Sequence, residues 1–189
     1  MANKDSAFGL RPIGKVGQNK DNQGLSEYSI AASATAIYQG DPVEMLATGT
    51  IGVAAAGDVL LGPLNGVFFT HASTSKPTFA NHLEASNTAS DIVGFVSDDP
   101  YERFEVQSNN TGASAQTDIG NVANIAYTAG SSPNYVSKVE LDDSDLATSD
   151  GQLKVIGVSK DPDNNDLSSA NVNFVVTINE HFLKQEAGI

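Results

Sequence analysis

Apolar positions along this chain come in short clusters separated by turn-forming residues. Tyr28 and Ile30 alternate with Glu27 and Ser29, and Phe104 and Val106 alternate with Arg103 and Glu105. A period of two is the mark of a half-buried strand. Compact apolar runs recur at 43–46, 51–53, 59–64, 67–70, 92–96, 122–127, 135–141, 153–158 and 172–178. Gln39-Gly40-Asp41-Pro42, Ala47-Thr48-Gly49-Thr50 and the Gly62, Pro63, Asn65 and Gly66 group punctuate them, as do Asn110, Gly112 and Gly120. No long segment repeats at 3.6 residues, and crossover helices for a parallel sheet are missing. The pattern predicts an all-β fold, a compact sandwich or barrel of short strands. The one helical feature expected is a capped turn near 142–148, with Asp142 or Ser144 as N-cap before Leu146.

Three segments break the pattern. Residues 1–25 are polar and rich in Gly, Asn, Lys and Gln, with Phe8, Leu10 and Ile13, flanking Gly9 and Pro12, as candidate anchors. They read as an extended N-terminal arm, either a solvated terminus or a strap that docks on a neighbouring subunit. Residues 71–90 form a long Ser-, Thr- and Asn-rich loop inside the single β domain assigned to 26–180. Residues 181–189 read as a C-terminal tail.

Composition narrows the function. Across 189 residues, 10 basic and 23 acidic side chains give a net charge of −13, which repels nucleic acid and anionic lipid. No nucleic-acid or membrane partner is therefore expected. Four cations, Lys4, Arg11, Lys15 and Lys20, fall in the arm against two acids, making it the one basic region. Cysteine is absent, so disulfides and thiolate metal sites are excluded. The opening MANKDSAFGLRP has no apolar core of the signal-peptide kind, and no apolar run approaches membrane-spanning length.

Candidate chemistry is thin. His71 and His82 share the long loop with one acid, Glu84, which is a poor metal set. DDSDLATSDG at 142–151 suggests calcium but lacks the glycine and the bidentate glutamate of an EF-hand loop. DPDNNDLSS at 161–169 reads as an acidic hairpin loop. No Gly-x-Ser-x-Gly elbow accompanies the three histidines, and no Gly-rich phosphate loop precedes a helix. No catalytic, cofactor or metal residue is assigned, and the chain is not expected to be an enzyme.

Six short motifs, in order, carry a resemblance. They are AFGLRPIG at 7–14, YQGDPVEM at 38–45, SDDPYERFEVQ at 97–107, TDIGN at 117–121, LKVIGVSKDPDN at 153–164 and VTINEHFL at 176–183. Together they resemble the capsid decoration, or cement, proteins of tailed bacteriophages. The resemblance implies a virion structural protein on the outer capsid surface, bridging subunits of the major capsid protein. It also implies self-association, as a homotrimer or alternatively a dimer. Phe8, Leu10, Arg11 and Ile13 are the expected contact residues. Segment 71–90 has no counterpart in the resemblance. The rival readings are a tail or fibre protein, which should show repeats, and a carbohydrate-active enzyme, which should show paired acids in a cleft.

Overall fold

A computed structural model describes residues 2–17, 24–109, 114–147 and 149–185. Asn110, Gly112 and Lys20, named above, lie outside them. The fold is all-β, built from antiparallel sheets. One sheet has five strands in the order β1 (Arg11–Lys15), β8 (Glu102–Gln107), β13 (Asn173–Ile178), β12 (Leu153–Val158) and β9 (Val122–Ala123). The second runs β2 (Ser26–Ser29), β7 (Val93–Val96), β5 (Leu60–Thr70), β3 (Pro42–Met45) and β4 (Ile51–Val53), with β6 (Pro77–Ala80) paired to the far half of β5. A small ribbon joins β10 (Ile125–Ala126) to β11 (Glu140–Leu141).

Each large sheet closes over its own apolar cluster. Phe104, Val106, Leu153, Val155, Phe174 and Val176 centre one. Ile37, Val43, Ile51, Leu61, Val67 and Val96 centre the other. The alternation read from the sequence explains the first, since Phe104 and Val106 point inward from β8 and face Val176 and Phe174 across the strand pair. Strand β5 ties the two together. Leu60 belongs to one cluster and its neighbour Leu61 to the other, because successive side chains leave a strand on opposite sides. The sequence suggested two runs at 59–64 and 67–70. They are one strand, carried past Gly62 and Gly66 by register shifts.

Several expectations need correction. Residues 2–17 of the expected arm are not separate from the body, because β1 pairs with β8 in the main sheet; residues 18–23 lie outside the described residues. Leu10 is 1% exposed in the first cluster. The segment can be polar because backbone hydrogen bonds make much of the attachment, beside the buried Leu10 and a few polar side chains. Gly9 N–H donates to Val139 O at 3.2 Å and Leu10 N–H to Gly40 O at 2.9 Å, while Lys4 O accepts from Gln107 Nε2 and Asn164 Nδ2. The 181–189 tail likewise begins inside the body, since His181 is fully buried and bridges Leu60. Segment 71–90 contains β6, and its Leu83 is buried against Ile37 through reciprocal backbone hydrogen bonds of 2.8 and 3.1 Å. The run at 135–141 yields only the two-residue β11 after a turn. The helical turn arrives as expected. A 3-10 turn at Asp143–Asp145 is capped by Asp142, whose side chain accepts from Ser144 N–H at 3.1 Å.

Candidate interaction surface

The four residues expected to make contacts are brought close together, but they do different jobs. Leu10 is consumed by the core. Arg11 pairs with Glu105 across the β1–β8 ladder, and its guanidinium lies 4.4 Å from the centre of the Phe8 ring. Burial pushes the Glu105 carboxyl up, but hydrogen bonds from Ser159 and Arg11 outweigh it and hold the group below the usual range. Ile13 stands 44% exposed on the outer edge strand, with Val16 beyond it.

Phe8 is half-buried and forms one wall of a groove of about 340 Å³ with Pro12, Leu25, Pro63, Leu64 and Val136. Leu25, 43% exposed, stands at its mouth. Gln39 and Asn65 add the polar rim. The groove exists because two motifs far apart in sequence mesh beneath it. Gly9 has φ +75° and Gly40 φ +88°. A Cβ on Gly9 would lie 2.3 Å from Gly40 O, and one on Gly40 would lie 2.7 Å from Phe8 O. Only glycine allows both the left-handed backbone and this approach. Asp41 accepts from Tyr38 N–H at 2.8 Å, and burial raises its carboxyl pKa to about 6. FGLRP and QGDPV are thus two halves of one joint. Sequence reasoning treated them as separate signals. Each carries a glycine shortly before a proline, which was the clue to a special backbone conformation.

The third motif is also a joint. Lys15 pairs with Asp99 at 2.6 Å, and Tyr28 Oη donates to Asp98 at 2.6 Å. Ser97 Oγ hydrogen-bonds the buried Glu102, whose carboxyl is pushed up by burial. Nearby His181 accepts from Leu183 N–H through Nδ1, and burial lowers its pKa to about 4. A serine, acids and a histidine therefore approach one another, but at 0–3% exposure for Ser97, Glu102 and His181 no substrate reaches them. Their work is to bind β7, β8 and the turn at Phe182–Lys184 together.

The loop histidines are not brought onto one ligand. His71 Nδ1 accepts from Ser73 N–H at 3.2 Å. His82 stacks on Tyr135 with ring centres 3.9 Å apart, and the Tyr38 ring lies nearly parallel to it with its centre 6.2 Å away. Among the described residues no group of three potential ligands is placed to hold a metal. The acidic loop at 161–169 is clasped by the chain start, with Asn3 donating to Asp166 O and Ala170 O.

No protein-family model, curated protein or solved structure matches this chain.

Proposed function

We propose that this chain is a virion structural protein that binds the outer surface of a bacteriophage capsid and braces neighbouring major capsid subunits. The ordered run of six decoration-protein-like motifs along the chain carries the reading. Two of them fit into each other, Gly9 against Gly40, as parts of one inherited fold would. The physics of the task agrees. A brace needs a stable β body and a docking surface rather than a reactive centre. A strongly acidic exterior keeps it off the packaged nucleic acid. Its docking surface is the groove beside Phe8, with Leu25 in its lining, together with the exposed Ile13 of β1, and not the buried Leu10. The resemblance brings self-association with it as part of the proposal, as a homotrimer or alternatively a dimer.

The test is co-sedimentation of purified protein with capsids stripped of their own copy. Ile13→Glu combined with Leu25→Glu should cut retention by at least about tenfold, since burying such side chains is worth about 1.5–3 kcal/mol each. The melting temperature should fall by only a few degrees, because neither side chain belongs to the buried core. Wild-type protein that fails to sediment with stripped capsids sinks the proposal.

A further inference from the structure

We infer that the edge of β6 is a self-association site, where a second copy of this chain pairs antiparallel about a two-fold axis centred on Phe79. In the β5–β6 hairpin, Thr70 stands opposite Pro77 and Phe68 opposite Phe79. His71 N–H donates to Lys76 O at 2.9 Å, which makes 71 and 76 a hydrogen-bonded pair. Hydrogen-bonded and non-hydrogen-bonded pairs alternate along an antiparallel ladder. The bonded pairs are therefore 69 with 78 and 67 with 80. Phe79 falls between them, so its N–H and C=O point away from β5, toward the open side. Among the described residues no strand pairs that side of β6.

The edge suits a short symmetric contact better than a long foreign strand. Two positions before Phe79, Pro77 has no N–H to offer, so the usable donor on the strand is that of Phe79 itself. A two-fold axis needs only one such residue, because Phe79 then exchanges both backbone bonds with its own copy. The side chain is already prepared for burial. The Phe79 ring is 74% exposed, yet it packs on Phe68 at 4.8 Å and lies 6.4 Å from Phe95. These rings share the outward face of the sheet, opposite the buried Val67 and Val96. Pairing at β6 joins this row to its copy and covers its most exposed member.

Charge selects the occupant. Two chains of net charge −13 repel one another except where the surface is locally free of acids. Residues 71–83 contain no acid and one cation, Lys76. Antiparallel pairing centred on 79 places 76 opposite 82, which brings Lys76 toward the partner's exposed Glu84. The contact is a pair, in place of the trimer implied by the resemblance. It concerns only the free protein, so its failure would leave the capsid proposal standing.

Sedimentation velocity on the full chain at micromolar concentration tests it without capsids. The wild type should run as a dimer. Phe79→Asp should weaken association by more than about tenfold, as removal of a central aromatic anchor does, and Lys76→Glu should weaken it less and be rescued by adding Glu84→Lys. Far-ultraviolet dichroism should match the wild type throughout. In this cysteine-free chain, Phe79→Cys should also form a disulfide-linked dimer on oxidation, because facing residues in a bonded pair stand about 5.5 Å apart at Cα. A monomeric wild type, a dimer indifferent to Phe79→Asp, or a Phe79→Cys protein that stays uncrosslinked overturns the inference. A monomer whose Phe79→Asp variant loses capsid binding would instead give the edge to the capsid protein.

Discussion

At positions 9 and 40 the chain has room for a hydrogen and nothing larger. Gly9→Ala and Gly40→Ala each force a Cβ into a carbonyl oxygen at a positive φ. Each should cost at least about 2 kcal/mol, measured by urea unfolding. Substitution at Gly57, where a Cβ would meet nothing, costs only the φ strain and serves as the comparison. Titratable residues set a second expectation. Burial raises Asp41 to about 6, and burial followed by the charges of Asp5 and Asp143 raises Glu140 to about 7. Between the unfolded values near 4 and these folded values, the native chain holds protons that the unfolded chain has lost. These two groups therefore add stability as pH falls through 7 and 6. His181, lowered to about 4, acts in the opposite sense between its unfolded value of about 6.5 and 4, where the unfolded chain takes up the proton. Two groups outweigh one, and relief of the net negative charge adds to them. The melting temperature should rise from pH 8 to pH 5, and Asp41→Asn with Glu140→Gln should flatten the rise. A wild-type melting temperature that falls over this range contradicts the assignment.

Among the elements, β1 changes the picture most. Deleting residues 2–15 removes an edge strand, empties the Leu10 position and strips Gln107 and Asn164 of the Lys4 carbonyl they share. The truncated chain should fail to fold or melt more than about 10 °C lower. Leu10→Ala alone should cost about 2–5 kcal/mol by urea unfolding. Sequence patterning misjudges this segment because apolar periodicity reports side-chain burial, and the segment is held mainly by its backbone. The same limit applies to β6, whose Phe79 lacks an apolar alternation partner. Where burial and period coincide, as in β8, β12 and β13, the strands were legible. The split read into β5 has another cause, since Gly62 and Gly66 shift its register without ending it. The sequence grouped Phe8, Leu10 and Ile13 alike as anchors, and no local pattern separates the exposed Ile13 from Leu10, whose burial depends on remote segments of the chain.

For the molecule as a whole, the shared strand β5 has an energetic consequence. It places Leu60 in one apolar cluster and Leu61 and Leu64 in the other, so neither cluster opens without disturbing it. Calorimetry should show a single transition whose van't Hoff and calorimetric enthalpies agree, and Leu60→Ala and Leu61→Ala should each lower it without splitting it. Two resolved peaks would mean that the clusters unfold independently.

The joint between residues 4–15 and the later strands also sets an order of events during synthesis. Besides Gly40, the partners of this early segment are β8, residues 137–139 and the 164–171 loop. Nascent chain emerging from a ribosome carries β1 long before anything exists for it to pair with. Such high contact order makes folding slow and leaves the first strand waiting in solvent. A chain released early, short of residue 164, lacks the groups that hold residues 3 and 4 in place. A copy that stops there carries every residue lining the groove beside Phe8, all between 8 and 136, yet β8, the strand that β1 pairs with, then lacks its own neighbour β13.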